Sequence, residues 1–276
     1  MNPHQEYSLA PTAISSSVWR NRELIATLTK REVIGRYKGS FLGLTWSLLN
    51  PLLILTVFTF VFGDIFQSKW GNSQNTGRLD FASALFAGLL IYNFFAECIS
   101  RSPMLITSNP NFVKKVIFPV EVLPVVNTLG AIFHLGVAYV LLGILVLFSN
   151  WGIGPTAFLV PIILLPFVLL TQGLSWLLAA LGVFLRDISQ LVQPGLTALL
   201  FLSPIFYPLS SVPQALQWVY KLNPITFTTE SIRSVLIHHT EPVWNEYFVF
   251  LGCCLLTAWI GFALFQKTRK GFADVL

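Results

Sequence analysis

A chain of 276 residues, 54% hydrophobic and only 11% charged, with 17 basic against 12 acidic groups and a net charge of +5, stands far from the roughly 25% charged share of a water-soluble domain. That balance excludes a large soluble domain and leaves room for several membrane spans with short loops. Cys98 and the neighbours Cys253 and Cys254 make no disulfide or metal framework, because adjacent helical residues point about 100° apart.

Residues 1–40 form a polar N-terminal region that holds no apolar stretch of seven or more, so no cleavable signal peptide is expected. Within it, Leu24, Ile25 and Leu28 cluster on one side of a helical wheel, and Val33, Ile34 and Tyr37 on nearly the opposite side. Two short helices bent near Thr29 to Arg31 would bury both sets, as would one helix with lipid on one face and protein on the other. Six basic residues against Glu23 and Glu32 suit an amphipathic helix on an anionic membrane surface.

Six apolar stretches follow as predicted spans: residues 41–63, 81–96, 122–148, 157–185, 191–209 and 247–265. Between Val122 and Leu185 no Lys, Arg, Asp or Glu occurs in 64 residues, a run that as one helix would reach about 95 Å and therefore folds back. Ser149 to Pro155 supplies the turn chemistry. Placing both termini in the cytoplasm puts 13 of the 17 basic residues inside, with only Lys69, Arg78, Lys221 and Arg233 outside. Residues 213–239, interrupted by Asn223-Pro224, hold two apolar pieces too short to cross. A re-entrant helical hairpin before the last span is expected, with Glu230 and Arg233 paired; a surface-lying pair of helices is the alternative. The fold class is an all-α integral membrane protein.

Catalytic equipment is sparse. Glu97 is placed at a span boundary, Asp187 in a loop and His134 inside a span, all on separate segments. An integral-membrane transferase or an ion-coupled carrier needs such groups gathered together. No phosphate-binding Gly-x-x-x-x-Gly-Lys-[Ser/Thr] loop occurs either, so energy for uphill transport would come from another subunit. The aromatics Phe58, Phe60, Phe62, Phe201, Phe206 and Tyr207 lie in the two proline-interrupted spans and are the candidates for lining a polar passage, since aromatic faces stack on sugar rings.

Arg36-Tyr37-Lys38-Gly39-Ser40-Phe41-Leu42-Gly43, followed by Trp46 and Asn50-Pro51, resembles the entry to the first span of ABC exporter permeases for polysaccharides. Phe118-Pro119-Val120-Glu121-Val122-Leu123-Pro124, Arg186-Asp187, Ser203 to Pro208 and Asn223-Pro224 match in the same order. The resemblance implies a multi-pass subunit of the bacterial inner membrane exporting lipid-linked polysaccharide, O-antigen above capsule or teichoic acid. It also implies a homodimer paired with two copies of a cytoplasmic ATPase, which would hold the ATP and Mg; this chain would have no cofactor, no catalytic residue and no nucleic-acid partner. A permease for drugs or small lipids is the alternative function.

By the same resemblance, the loop at residues 101–118 contacts the ATPase through Ser108, Asn109, Pro110, Asn111, Phe112, Lys114 and Lys115, and residues 267–276 form a cytoplasmic tail. The channel is bounded by the first and fifth spans. Arg36 and Lys38 are candidates for attracting the substrate's phosphates, and Leu42-Gly43 for a tight loop beneath the channel.

Overall fold

The structure, a computed structural model, describes residues 9–65, 78–114 and 118–275, and within them it is helical with no strand. Helix α1 (Pro11–Arg20) starts on a proline, whose fixed φ suits a first turn. It bends at Asn21 into α2 (Arg22–Tyr37); the Asn21 amide donates to the Ser17 carbonyl at 2.8 Å. Of the two alternatives for this segment, the bend near Thr29 to Arg31 is absent and a single helix is present. It runs straight and buries Ile25 and Val33, two turns apart on one face, leaving Ile34 exposed.

A turn at Gly43–Thr45 leads into α3 (Trp46–Phe58), which carries Pro51 inside it and widens into a π-helical segment, Thr59–Ile65. Helix α4 (Arg78–Arg101) is longer than the predicted 81–96 span. The expectation ended at Glu97 because an isolated carboxylate marks a boundary. The helix continues because Glu97 and Arg101 both find ionic partners on α2. After the short α5 (Pro110–Lys114) come α6 (Val122–Phe148), α7 (Val160–Phe184) and α8 (Ile188–Phe201). The chain closes with α9 (Gln217–Leu222), α10 (Pro224–Leu236), α11 (Trp244–Thr268) and α12 (Phe272–Val275).

Among the described residues five segments are long and apolar enough to cross a bilayer: Gly43–Val61, Leu79–Met104, Val122–Phe148, Pro155–Phe184 and Trp244–Gly271. The predicted fifth span at 191–209 is not one helix. Helix α8 has 14 residues, or about 21 Å, short of the ~30 Å hydrocarbon thickness. It stops before Pro204, which has no N–H to continue the ladder. Side chains from beyond the break satisfy the freed groups. Asn223 donates to Ser203 Oγ (2.9 Å), and Arg233 donates to the Pro204 and Ile205 carbonyls (2.7 and 3.2 Å). Asn223 also caps α10, accepting from Ile225 N at 2.9 Å, with Pro224 at the first helical position.

Helix α4 is the central post, packed by α6, α7 and α10. Helices α7 and α11 touch backbone to backbone: a Cβ placed on Gly261 would lie 2.0 Å from the Gly173 carbonyl oxygen. Such contact between small residues replaces the hydrophobic drive that lipid removes. A second apolar cluster, with Ile25, Ile106, Val120, Trp176, Phe262 and Phe272, ties both terminal helical regions to one end of the bundle. Arg36, Arg101 and Arg269 mark it as the arginine-bearing, or basic, end, each of them paired with a glutamate.

Candidate functional site

Where α2 crosses α4 and α6, six ionisable side chains form one network. Arg36 pairs with Glu97 and lies 3.8 Å from Glu32, which in turn pairs with Arg101. His134 Nδ1 lies 2.9 Å from Glu97 Oε1, and Tyr37 Oη lies 3.0 Å from His134 Nε2. Arg36 Nη1 also lies 3.0 Å from His134 Nδ1, so the tautomer decides whether Nδ1 donates to the carboxylate or accepts from the guanidinium. Burial raises the Tyr37 pKa, which keeps the phenol protonated. The two arginines balance the two glutamates in formal charge.

Sequence reasoning set Glu97 and His134 on separate segments with no joint role, and the structure corrects that. Both point from neighbouring helices into one cluster. The legible signal was Glu32 and Arg36 four apart on α2, with Glu97 and Arg101 four apart on α4: two matching ladders.

Beside this network opens a cavity of about 200 Å³ between α2, α3, α4 and α6. Arg36, Tyr37, Asn50, Asn93, Glu97 and His134 form its polar wall; Trp46, Ile54, Phe86, Leu90, Phe94 and Leu135 form its apolar wall. Lys38 is exposed at the end of α2. Leu42 is half-exposed, and Gly43 has φ 51°, a left-handed conformation that favours glycine. Nothing lies within 4 Å of a Cβ placed on Gly43, so the turn requires glycine for its backbone angle rather than for close approach.

The aromatic candidates divide. Phe58 meets Phe206 edge to face at 5.2 Å, and Phe201 stands 6.1 Å from Phe206. These three converge at the break after α8, but Phe206 is buried beneath the other two. Phe60 and Phe201 present exposed rings. Tyr207 donates to the Phe201 carbonyl at 2.7 Å and meets Tyr220 Oη at 2.9 Å. The Phe62 side chain lies outside the described residues.

Along the segment expected to meet an ATPase, Ser108 Oγ and Asn109 Nδ2 donate to the Met104 and Leu105 carbonyls at 2.6 and 2.9 Å. Pro110 opens α5, Asn111 is exposed, and Phe112 stacks on Phe118 at 4.4 Å. The side chain of Lys114 and all of Lys115 lie outside the described residues. Glu121 anchors the base of this region: its carboxylate accepts from Arg269 (2.7 Å) and Ser17 (3.0 Å), and its carbonyl accepts from Trp176 Nε1 (3.0 Å). That buried ion pair joins α1, the loop before α6 and the end of α11. Composition gave no hint of it beyond an acidic residue inside an apolar motif.

Among known proteins, the chain is 28% identical over 261 residues to the O-antigen export system permease protein RfbA of Myxococcus xanthus, spanning 93% of this chain and 96% of that one. A protein of the same name from Klebsiella pneumoniae is 26% identical over 257 residues, spanning 92% and 95%. The polysialic acid transport protein KpsM of Escherichia coli is 25% identical over 251 residues, spanning 89% and 93%. Residues 23–237 match the family described as ABC-2 type transporter. Five membrane-length apolar helices and a family match over most of the sequence have one meaning: the chain belongs to the ABC-2 type transporter family of integral membrane proteins.

Proposed function

We propose that this chain is the transmembrane subunit of an ABC exporter that carries a lipid-linked polysaccharide, of the O-antigen class, across the bacterial inner membrane. The observation that carries the reading is similarity along nearly the whole chain to permeases named for O-antigen export, with a more distant likeness to a polysialic acid transporter. In this reading both termini are cytoplasmic, and α8 with the broken segment after it serves as a sixth crossing. Helices α9 and α10 dip back as a hairpin against α4. Two copies of a separate ATPase supply ATP and Mg, and dock on Ser108 to Lys115.

Uneven burial supports a homodimer. Only 11% of the apolar window of Gly43–Val61 is buried, against 78% for Leu79–Met104, and in α8 only Leu196 is buried. The first and fifth crossings are thus the ones a second copy would cover, with the exposed Phe60 and Phe201 facing the passage. Lys38, exposed at the membrane surface, attracts the substrate's phosphates. Arg36, already matched by Glu97, holds α2 against the spans.

Depleting the chain in cells that make the polymer tests the reading. Lipid-linked glycan is expected to accumulate inside while surface glycan disappears, and restoring the chain with its ATPase reverses both. Surface glycan unchanged on depletion would overturn it.

A further inference from the structure

Arg36, Glu97 and His134 form a pinned wall of a cavity that also carries Asn50 and Asn93, whose side-chain amides make no hydrogen bond within the described residues. We propose that this cavity between α2, α3, α4 and α6 is a sugar subsite, binding one pyranose ring of the exported glycan at the basic end of the bundle. The inference rests on the polysaccharide-export reading above and adds a place in the protomer where a sugar is held.

Three observations carry it. The cavity holds about 200 Å³, the liquid volume of roughly seven waters and the scale of a single sugar ring. Its walls differ in kind, as a pyranose does. Asn50 from α3 and Asn93 from α4 each offer an amide donor and acceptor from different sides. Trp46, 39% exposed, lines the apolar side and supplies an indole for the ring's axial C–H groups to pack on. The polar wall is also preorganised, because the Arg36–Glu97 pair and the His134–Tyr37 contact fix those side chains before anything binds.

Charge and polarity select against the other occupants of an inner leaflet. A phosphate headgroup would meet a network whose two arginines are already balanced by two glutamates. An acyl chain would desolvate two amides and give them no hydrogen-bond partner. A neutral polyhydroxylated ring avoids both penalties.

The test uses the full chain with its ATPase, in cells whose glycan is labelled with radioactive sugar. A photo-crosslinking benzoylphenylalanine replaces Trp46 at the cavity mouth, or Leu147, which is 64% exposed on α6 and does not line the cavity. Label is expected on the chain from the Trp46 position and not from Leu147. Asn93→Leu, still copurifying with the ATPase, is expected to slow surface appearance of glycan about tenfold, the loss of one hydrogen-bonded contact worth ~1.4 kcal/mol. If wild type exports glycan, but Trp46 crosslinks only phospholipid and Asn93→Leu exports at the wild-type rate, the subsite is overturned and the export reading stands. If wild type moves no glycan at all, the export reading fails and the subsite falls with it.

Discussion

Replacing Arg233 by Met removes a guanidinium that is 2% exposed and bonded on every side. It donates to the carbonyls of Ala84 (3.0 Å), Pro204 (2.7 Å) and Ile205 (3.2 Å), and to Glu230 Oε1 (2.7 Å). The Glu230 side chain is 39% exposed, so its charge returns to water and contributes little. The carbonyls of Pro204 and Ile205 stand in the helix break, where Arg233 is the donor that meets them. Breaking one side of a buried ionic arrangement costs about 3–5 kcal/mol, and the lower figure applies because Glu230 rehydrates. At ~2–4 °C per kcal/mol for a chain of this size, the melting midpoint falls by about 6–12 °C. Cys98 and Cys254 are buried and Cys253 exposed, so a thiol-reactive dye on a Cys253→Ser background reads unfolding directly. Glu230→Gln keeps an acceptor for Arg233 but removes its counter-charge, and is expected to lower the midpoint by less than Arg233→Met does, since the three carbonyl contacts remain. An Arg233→Met midpoint within about 1 °C of the parent would refute the reasoning, since the break would then not depend on its cation.

Arg36→Met and Glu97→Leu each strand a partner, and each is expected to cost about 2–4 kcal/mol, while the double variant loses at least ~1 kcal/mol less than the sum. Additive midpoint shifts would show that the pair is not coupled. Gly261→Leu drives a side chain into the Gly173 backbone, and is expected to abolish monodisperse elution on size exclusion. Gly143→Leu on α6, where nothing lies within 4 Å of a Cβ, elutes normally.

Hydropathy and the turn residues made most of the helices legible, because lipid exposure demands an apolar surface over a fixed length. The Val122–Phe148 helix coincides with its predicted bounds for that reason. What hydropathy misses is compensation. Glu97 read as the end of a span because its partners lie 61 and 37 residues away, at Arg36 and His134. The Ser203 to Pro208 stretch read as part of a proline-interrupted span, but the groups that meet the carbonyls freed at the break, Asn223 and Arg233, come from a segment that sequence pattern treats separately. The Glu230–Arg233 pair was legible because three-residue spacing on a helix is local information. The Gly173–Gly261 contact was not, since glycine in an apolar run has no pattern until a second helix is laid against it.

The Glu121–Arg269 pair carries a consequence for assembly. The two residues are 148 positions apart, and every helix from α6 to α10 is made between them. Until α11 enters the membrane and Arg269 follows it, the Glu121 carboxylate lacks the cation that meets it in the finished fold. The base of the bundle therefore seals last, when the final span delivers its arginine to an acid laid down before α6.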